Sequence, residues 1–142
     1  MIIDHKQFGI TKLNSADKVY EILKKVHSNV NGFDRDKEHF YVIGLTRRHT
    51  IKYIDLVSFG SISGTVSEPR EIYRQAIHRA TGGGIIISHT HPSGNLEPSE
   101  ADKKLTAKIK DAGRILEIPL IDHIIFTNED DGFFSFANEG MV

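Results

Sequence analysis

The feature that most restricts what this chain can fold into is the run Gly82-Gly83-Gly84-Ile85-Ile86-Ile87. Strand side chains alternate between the two faces of a sheet, so three consecutive isoleucines put apolar surface on both. An unbroken β-branched run of this kind is a strand covered above and below, and it requires helices on both faces of the sheet. The three glycines end a helical pattern and open a strand. Phosphate-cradling loops have the reverse order, so the triplet reads as a tight helix-to-strand turn.

The rest of the chain supplies those helices. From Asn14 or Ser15 as cap, Val19, Ile22, Leu23 and Val26 recur at the i, i+3, i+4, i+7 spacing of one helical stripe. Residues 29–36 are a polar loop, followed by two β-rich runs, Glu38 to Leu45 and Ile51 to Phe59, joined by the polar segment 46–50. Pro69 opens a second helix with Ile72, Ala76, Ile77 and Ala80 on one face. Ser99 opens a third, with Ala101, Leu105, Ile109 and Ala112 in a stripe, that should stop at Gly113. Leu120 to Thr127 is a fourth strand, and beyond the turn Asp130-Asp131-Gly132, Phe133 to Phe136 is a short fifth. The order α-β-β-α-β-α-β-β predicts a mixed α/β fold: a three-layer α/β/α sandwich around a mixed sheet of about five strands.

At 142 residues, with no repeat and no long linker, the chain is expected to form a single domain, 1–142, in which residues 1–37 are a helix and loop leading in. Lys plus Arg number 18 against 19 Asp plus Glu, a net charge of −1, so no general basic field draws the chain to nucleic acid or to an anionic membrane. Lys103, Lys104, Lys108 and Lys110 lie mostly off the apolar stripe of their helix and read as a solvated face. No run approaches membrane-spanning length and the first residues lack a signal-peptide core, so the expectation is a cytoplasmic protein with no membrane partner. The absence of cysteine excludes disulfides, thiolate metal sites and thiol nucleophiles. Attention therefore falls on the eight histidines.

Two of them close the buried strand. Side chains i and i+2 of a strand point the same way, about 6.5 to 7 Å apart at the backbone, so His89 and His91 can aim both imidazoles at one ion while Thr90 points away. Asp102, eleven residues after His91, falls in the first turn of the third helix, and the short connection brings it back to the strand's carboxyl end, where open α/β sheets usually carry their sites. Two imidazoles and one carboxylate make a three-ligand site of the catalytic zinc type, with a fourth position for water. Ser99 and Asp102 also have the spacing of a capping box, and capping is compatible with ligation.

The pattern His89-x-His91, seven residues, Ser99-x-x-Asp102 resembles the JAMM motif of MPN-domain metalloproteases. Glu68-Pro69-Arg70-Glu71, His89-Thr-His-Pro-Ser-Gly94, Pro98-Ser-Glu-Ala-Asp102 and Asp122-His-Ile-Ile125 are more narrowly similar to the bacterial RadC-like branch, a resemblance running from about Glu38 almost to the C-terminus. It implies a deaminase-like sandwich, one zinc ion per chain on His89, His91 and Asp102, and a glutamate of the first strand, matched by Glu38, above the metal. RadC-like proteins commonly carry an N-terminal extension resembling helix-hairpin-helix DNA-binding modules, whereas only 37 residues precede Glu38. They often have Asn at the position of Thr90, a change expected to be tolerated because that side chain faces away from the ion.

The chemistry implied is hydrolysis of an amide bond in a peptide or protein substrate, with Glu38 as general base and Ser99 as donor to the oxyanion. A nucleic-acid enzyme and a non-catalytic interaction module are the alternatives. Zinc deaminases need H-x-E and P-C-x-x-C, which are absent, and a two-metal nuclease needs more clustered carboxylates. The specificity surfaces are expected in the loops Ser61 to Ser67 and Pro92 to Pro98. His123, beside Asp122, could form a supporting pair, but the start of a fourth strand parallel to the third lies at the end opposite the metal. His39 should face the other side of the sheet from Glu38, and His5, His27, His39, His49 and His78 read as surface or boundary histidines.

Overall fold

The computed structural model describes residues 1–30, 32–60, 68–129 and 132–142, and the side chains of all of these but 33, 59 and 60. The expected specificity loop Ser61 to Ser67 and residues Asp130 and Asp131 of the expected turn lie outside the described residues. In chain order the elements are β1 (Ile2–Ile3), α1 (Ala16–Ser28), α2 (Gly32–Arg35), β2 (Glu38–Leu45), β3 (Ile51–Gly60), α3 (Pro69–His78), β4 (Ile85–Thr90), α4 (Glu100–Leu116), β5 (Leu120–Phe126) and β6 (Phe133–Ser135). They form one six-stranded mixed sheet in the order β1-β3-β2-β4-β5-β6. β4 and β5 run parallel and every other pair is antiparallel.

The sixth strand is the two-residue β1, which pairs Ile2 and Ile3 with Asp55 and Ile54 and is pinned by the Met1 ammonium on Asp55 at 2.9 Å. So short a strand has no periodicity of its own, which is why five strands are predicted and six found. The expected loop 29–36 contains the single turn α2, and α4 passes Gly113 to end at Leu116, with Glu117 left-handed beyond it. Gly113 is in the helix because packing needs it small: a Cβ there would run into the Tyr73 hydroxyl and the Ile118 carbonyl.

Every residue of β4 is buried. Ile86 joins α1 residues Val19, Ile22, Leu23 and Val26 in the core on one face, and Ile85 and Ile87 join Ile72 and Ala76 of α3 and Leu105 and Ile109 of α4 on the other. Helices thus cover both faces of the central strand, α1 on one and α3 with α4 on the other. Each fully buried Ile or Leu contributes about 1.5–3 kcal/mol, so these stripes hold the helices on far more firmly than helix propensity does. The four α4 lysines are exposed, as expected of a solvated face.

Gly83 seats the helix-to-strand turn against β2, its N–H donating to the Leu45 carbonyl at 2.9 Å. A Cβ at this position would overlap the Thr46 carbonyl, a backbone group with no room to yield. Gly83→Ala is therefore expected to destabilise the chain by about 1–3 kcal/mol and to lower Tm by roughly 3–10 °C in calorimetry. An unchanged Tm would show that the turn is free to move.

His39 lies on the α1 face, opposite to Glu38, as predicted, but neither it nor His27 is a surface histidine. His27 is 3% exposed, 2.8 Å from the Tyr41 hydroxyl through Nδ1, with its ring 4.9 Å from that of His39. It continues the α1 stripe one turn beyond Leu23, and the stripe takes it inside. Burial, and then the neighbouring His39, lower its pKa from 6.5 to about 4. The unfolded chain binds a proton between pH 6.5 and 4 that the folded chain refuses, so this stability is complete above 6.5 and is lost as the pH falls toward 4. His27→Phe should reduce the stability lost between pH 6.5 and 4.5 in urea titrations by about 2–3 kcal/mol relative to wild type. Equal losses in the two proteins would refute a neutral buried His27.

Candidate metal centre

The site forms where β4 runs out. β2 pairs antiparallel with β4 so that Phe40 lies opposite His89, and Glu38, two residues earlier, projects on the same face. That is the face covered by α4. Asp102 reaches it from the first turn of α4, where Ser99 is the N-cap. The capping box is present in both directions: Ser99 Oγ accepts from the Asp102 N–H at 3.1 Å, and the Ser99 N–H donates to Asp102 Oδ2 at 2.9 Å.

Four sequence-predicted side chains converge here. His89 Nε2 and His91 Nε2 are 2.9 Å apart, His89 Nε2 is 3.2 Å from Asp102 Oδ1, and His91 Nε2 is 3.2 Å from Asp102 Oδ2. A carboxylate oxygen of Glu38 lies within 4.8 Å of a ligand nitrogen of each histidine, so Glu38, His89 and His91 are positioned to bind a metal ion. His89 is fully buried, Asp102 is 5% exposed, and His91 and Glu38 are half-buried at the mouth. Ligand atoms around one tetrahedral ion with bonds of 2.0–2.1 Å are about 3.3 Å apart, close to the spacing of the His89, His91 and Asp102 atoms. Three lone-pair-bearing atoms this close also need positive charge among them, from protons or from a cation. The donor set of nitrogen and oxygen with no sulfur suits a divalent ion such as zinc, and the residues fit it.

The electrostatics follow the same contacts. Burial by itself raises the Asp102 carboxyl, but its hydrogen bonds with His89 and His91, the positive charge of a protonated His89 and the Ser99 N–H outweigh it and hold the carboxyl well below the usual carboxylate range. Its hydrogen bond to Asp102 lifts His91 above the ordinary 6.5 against the opposing effect of burial. The other nitrogen of His91 is held as well, since Nδ1–H donates to the Asn95 carbonyl at 2.6 Å. The turn 92–95 that returns this carbonyl requires Gly94 at φ +82°, where a side chain would be strained. Thr90 points away from the cluster, as predicted, and its Oγ accepts from the His39 N–H at 2.9 Å.

The sequence reading misplaces His123. It is the fourth residue of β5, level with Ile87, and its Nε2 is 2.8 Å from His89 Nδ1 inside the protein. A parallel strand does begin at the far end, but four residues along it the ring reaches His89. Thr106, one turn after Asp102 on α4, lies 2.6 Å from His123 Nδ1 and goes unnoticed in the sequence, as does the Asn95 carbonyl. In the sequence, the Asp122-His123 pair and the i+4 step from Asp102 to Thr106 are the signals that point to His123 and Thr106. The His123 ring nitrogens meet His89 and Thr106, and the Asp122 carboxylate bonds elsewhere. It accepts from the His123 N–H, the Ala137 N–H and the Ser135 hydroxyl at 2.6–2.9 Å and fastens the C-terminal turn to β5, and burial raises its carboxyl.

Among the described residues no helix is long and apolar enough to cross a membrane. Over 131 residues the chain is 38% identical to a UPF0758 protein of Chlorobaculum tepidum, covering 92% of this chain and 55% of that protein. It is 38% identical over 109 residues to a UPF0758 protein of Chlorobium chlorochromatii, covering 77% and 48% respectively. A UPF0758 protein of Thermosynechococcus vestitus is 44% identical over 93 residues, 66% of this chain and 37% of its own length. The chain spans about half the length of the curated relatives it matches. The family model of the RadC-like JAB domain matches residues 13–141, and with the His89, His91 and Asp102 cluster at the end of β4 beside Glu38, the chain belongs to the RadC-like JAB domain family.

Proposed function

We propose that residues 1–142 are a single-domain zinc metallohydrolase that cleaves an amide bond in a peptide or protein substrate, with one zinc ion on His89, His91 and Asp102. The observation that carries this reading is the approach of those three ligand atoms to 2.9–3.2 Å at the end of a doubly buried strand, with the Glu38 carboxylate alongside. When bound, a zinc ion lowers the pKa of a coordinated water from 15.7 to about 7 and polarises a carbonyl oxygen. Glu38 would serve as the base, holding the proton that an attacking water gives up and passing it to the leaving nitrogen, a role suited to a half-buried carboxylate beside the ligand atoms. Ser99 is held by its capping bond, in which its oxygen accepts, so its own hydrogen is left for donation to a substrate oxygen. His89 and Asp102 exclude water from the inner side, and His91, at the rim, leaves the approach open from the loop Pro92 to Pro98.

The metal is tested first. Chain purified without a histidine tag, saturated with zinc and desalted, is expected to retain about one equivalent by elemental analysis, and His89→Ala less than about a tenth of one. Full retention by His89→Ala would overturn the ligand set. The catalyst is tested by Glu38→Gln, which should keep zinc and fold while losing about 10²–10⁴-fold in chelator-sensitive peptide or isopeptide hydrolysis. Loss of zinc in Glu38→Gln would make Glu38 a ligand. Cleavage of DNA without peptide turnover in the same assay would transfer the chemistry to nucleic acid, and salt-dependent DNA binding without cleavage would leave an accessory role.

A further inference from the structure

The histidine that the metal reading leaves without a role is His123. It is fully buried, its ring stacks on Phe136 with centroids 4.6 Å apart, and both nitrogens are engaged, Nδ1 with Thr106 Oγ at 2.6 Å and Nε2 with His89 Nδ1 at 2.8 Å. Thr106 Oγ is also 2.7 Å from the main-chain carbonyl of Asp102.

These contacts admit one order of protons. A carbonyl oxygen brings no hydrogen, so two oxygens 2.7 Å apart require the Thr106 hydroxyl to donate to Asp102. Its single hydrogen being used, Thr106 Oγ accepts from His123, whose proton is therefore on Nδ1. No carboxylate is hydrogen-bonded to the enclosed His123 ring, so the ring carries that one proton and its Nε2 is an acceptor. His89 must then donate from Nδ1, so that the neutral ring, the form that ligates a metal, has its lone pair on Nε2, the atom that faces His91 and Asp102.

We propose that Thr106 and His123 form a buried positioning relay, running from the main chain of Asp102 to His89, that fixes His89 in the Nδ1–H tautomer and presents its Nε2 to the metal. The proposal rests on the metal site described above. The relay closes a ring of contacts through both proteinaceous sides of the site: Asp102 supplies a carboxylate to the ion and a carbonyl to Thr106, so the first turn of α4 and the end of β4 are tied together on the side away from solvent. Hydrogen-bonded partners of ligating histidines fix tautomer and ring orientation and typically change metal affinity by about 10–100-fold when removed.

Zinc affinity measured by competition with a chromophoric chelator, together with long-range ¹H–¹⁵N correlation of the histidine rings in the zinc-loaded chain, tests it. His123→Phe keeps a ring of similar size against Phe136 but cannot accept from His89, and it should bind zinc about 10–100-fold more weakly. His123→Gln puts an amide oxygen where Nε2 was and should recover most of that loss, which a merely space-filling role would not produce. The correlation spectrum should show protons on Nδ1 of both His89 and His123. Wild-type zinc affinity in a folded His123→Phe, or a proton on His123 Nε2, overturns the relay and leaves the metal reading standing. A wild-type chain that retains no zinc overturns the metal reading and the relay with it. Should His123→Phe not fold, Thr106→Val, which removes the acceptor for Nδ1, is expected to weaken zinc and to disturb the His89 ring signals, and unchanged values in that variant overturn the proposal.

Discussion

Burying the His89 imidazole with no solvent contact is the constraint to which the rest of the site answers. A buried polar group left without a partner costs about 1–3 kcal/mol, and an imidazole has two such atoms. The strand that carries it is enclosed on both faces because Ile85, Ile86 and Ile87 are, so water cannot serve either nitrogen. One nitrogen is satisfied from β5 by His123 and the other is directed to the Asp102 carboxylate and His91. The register of β5, the start of α4 and the turn after β4 are thereby bound to a single side chain.

Much of this was legible in the sequence, for reasons that differ from residue to residue. His89 and His91 followed from the two-residue period of a strand, and Ser99 with Asp102 from the three-residue step of a capping box; both are local geometry. Glu38 came only from the resemblance, since its place beside the histidines depends on β2 pairing with β4 across more than forty residues of chain. His123 is beyond what the sequence places, because sequence gives the direction of a parallel strand but not its register. The register of β5 shifts between Ile85 and Ile86, beside a left-handed Gly84. His27 and His39 had readable signals, the i+4 step from Leu23 and the alternation with Tyr41 and Ile43, that the polarity of histidine outweighed.

Asp102 does two jobs that elsewhere are separate. As the third residue of α4 it completes the capping box, where an N-cap hydrogen bond contributes about 1 kcal/mol and an acidic first turn another 0.3–1 kcal/mol. Structural zinc binding in small peptides, by comparison, contributes about 10–16 kcal/mol in apparent terms. The cap is thus the smaller effect, but it acts in the absence of any ion. The Ser99 N–H holds Oδ2 at 2.9 Å and fixes the carboxylate plane, so that both oxygens face the imidazoles before a ligand arrives. Orientation that the helix start supplies need not be supplied by the metal.

Thr90 shows how a side chain that faces away from an ion can still shape its site. The ladder between β2 and β4 has its last pair at Phe40 and His89, and His91 already belongs to the turn. Beyond that pair the His39 N–H would have no strand carbonyl to meet, and the buried Thr90 hydroxyl takes it at 2.9 Å. His39 is the neighbour of Glu38, so this bond extends the pairing by one step and holds the strand carrying the proposed base against the strand carrying both histidines. An Asn here, as RadC-like sequences often have, also offers an acceptor oxygen to a backbone N–H. The two residue types share that capacity, whereas an apolar residue of the same size would leave this end of β2 held to β3 but no longer to β4 beside the site.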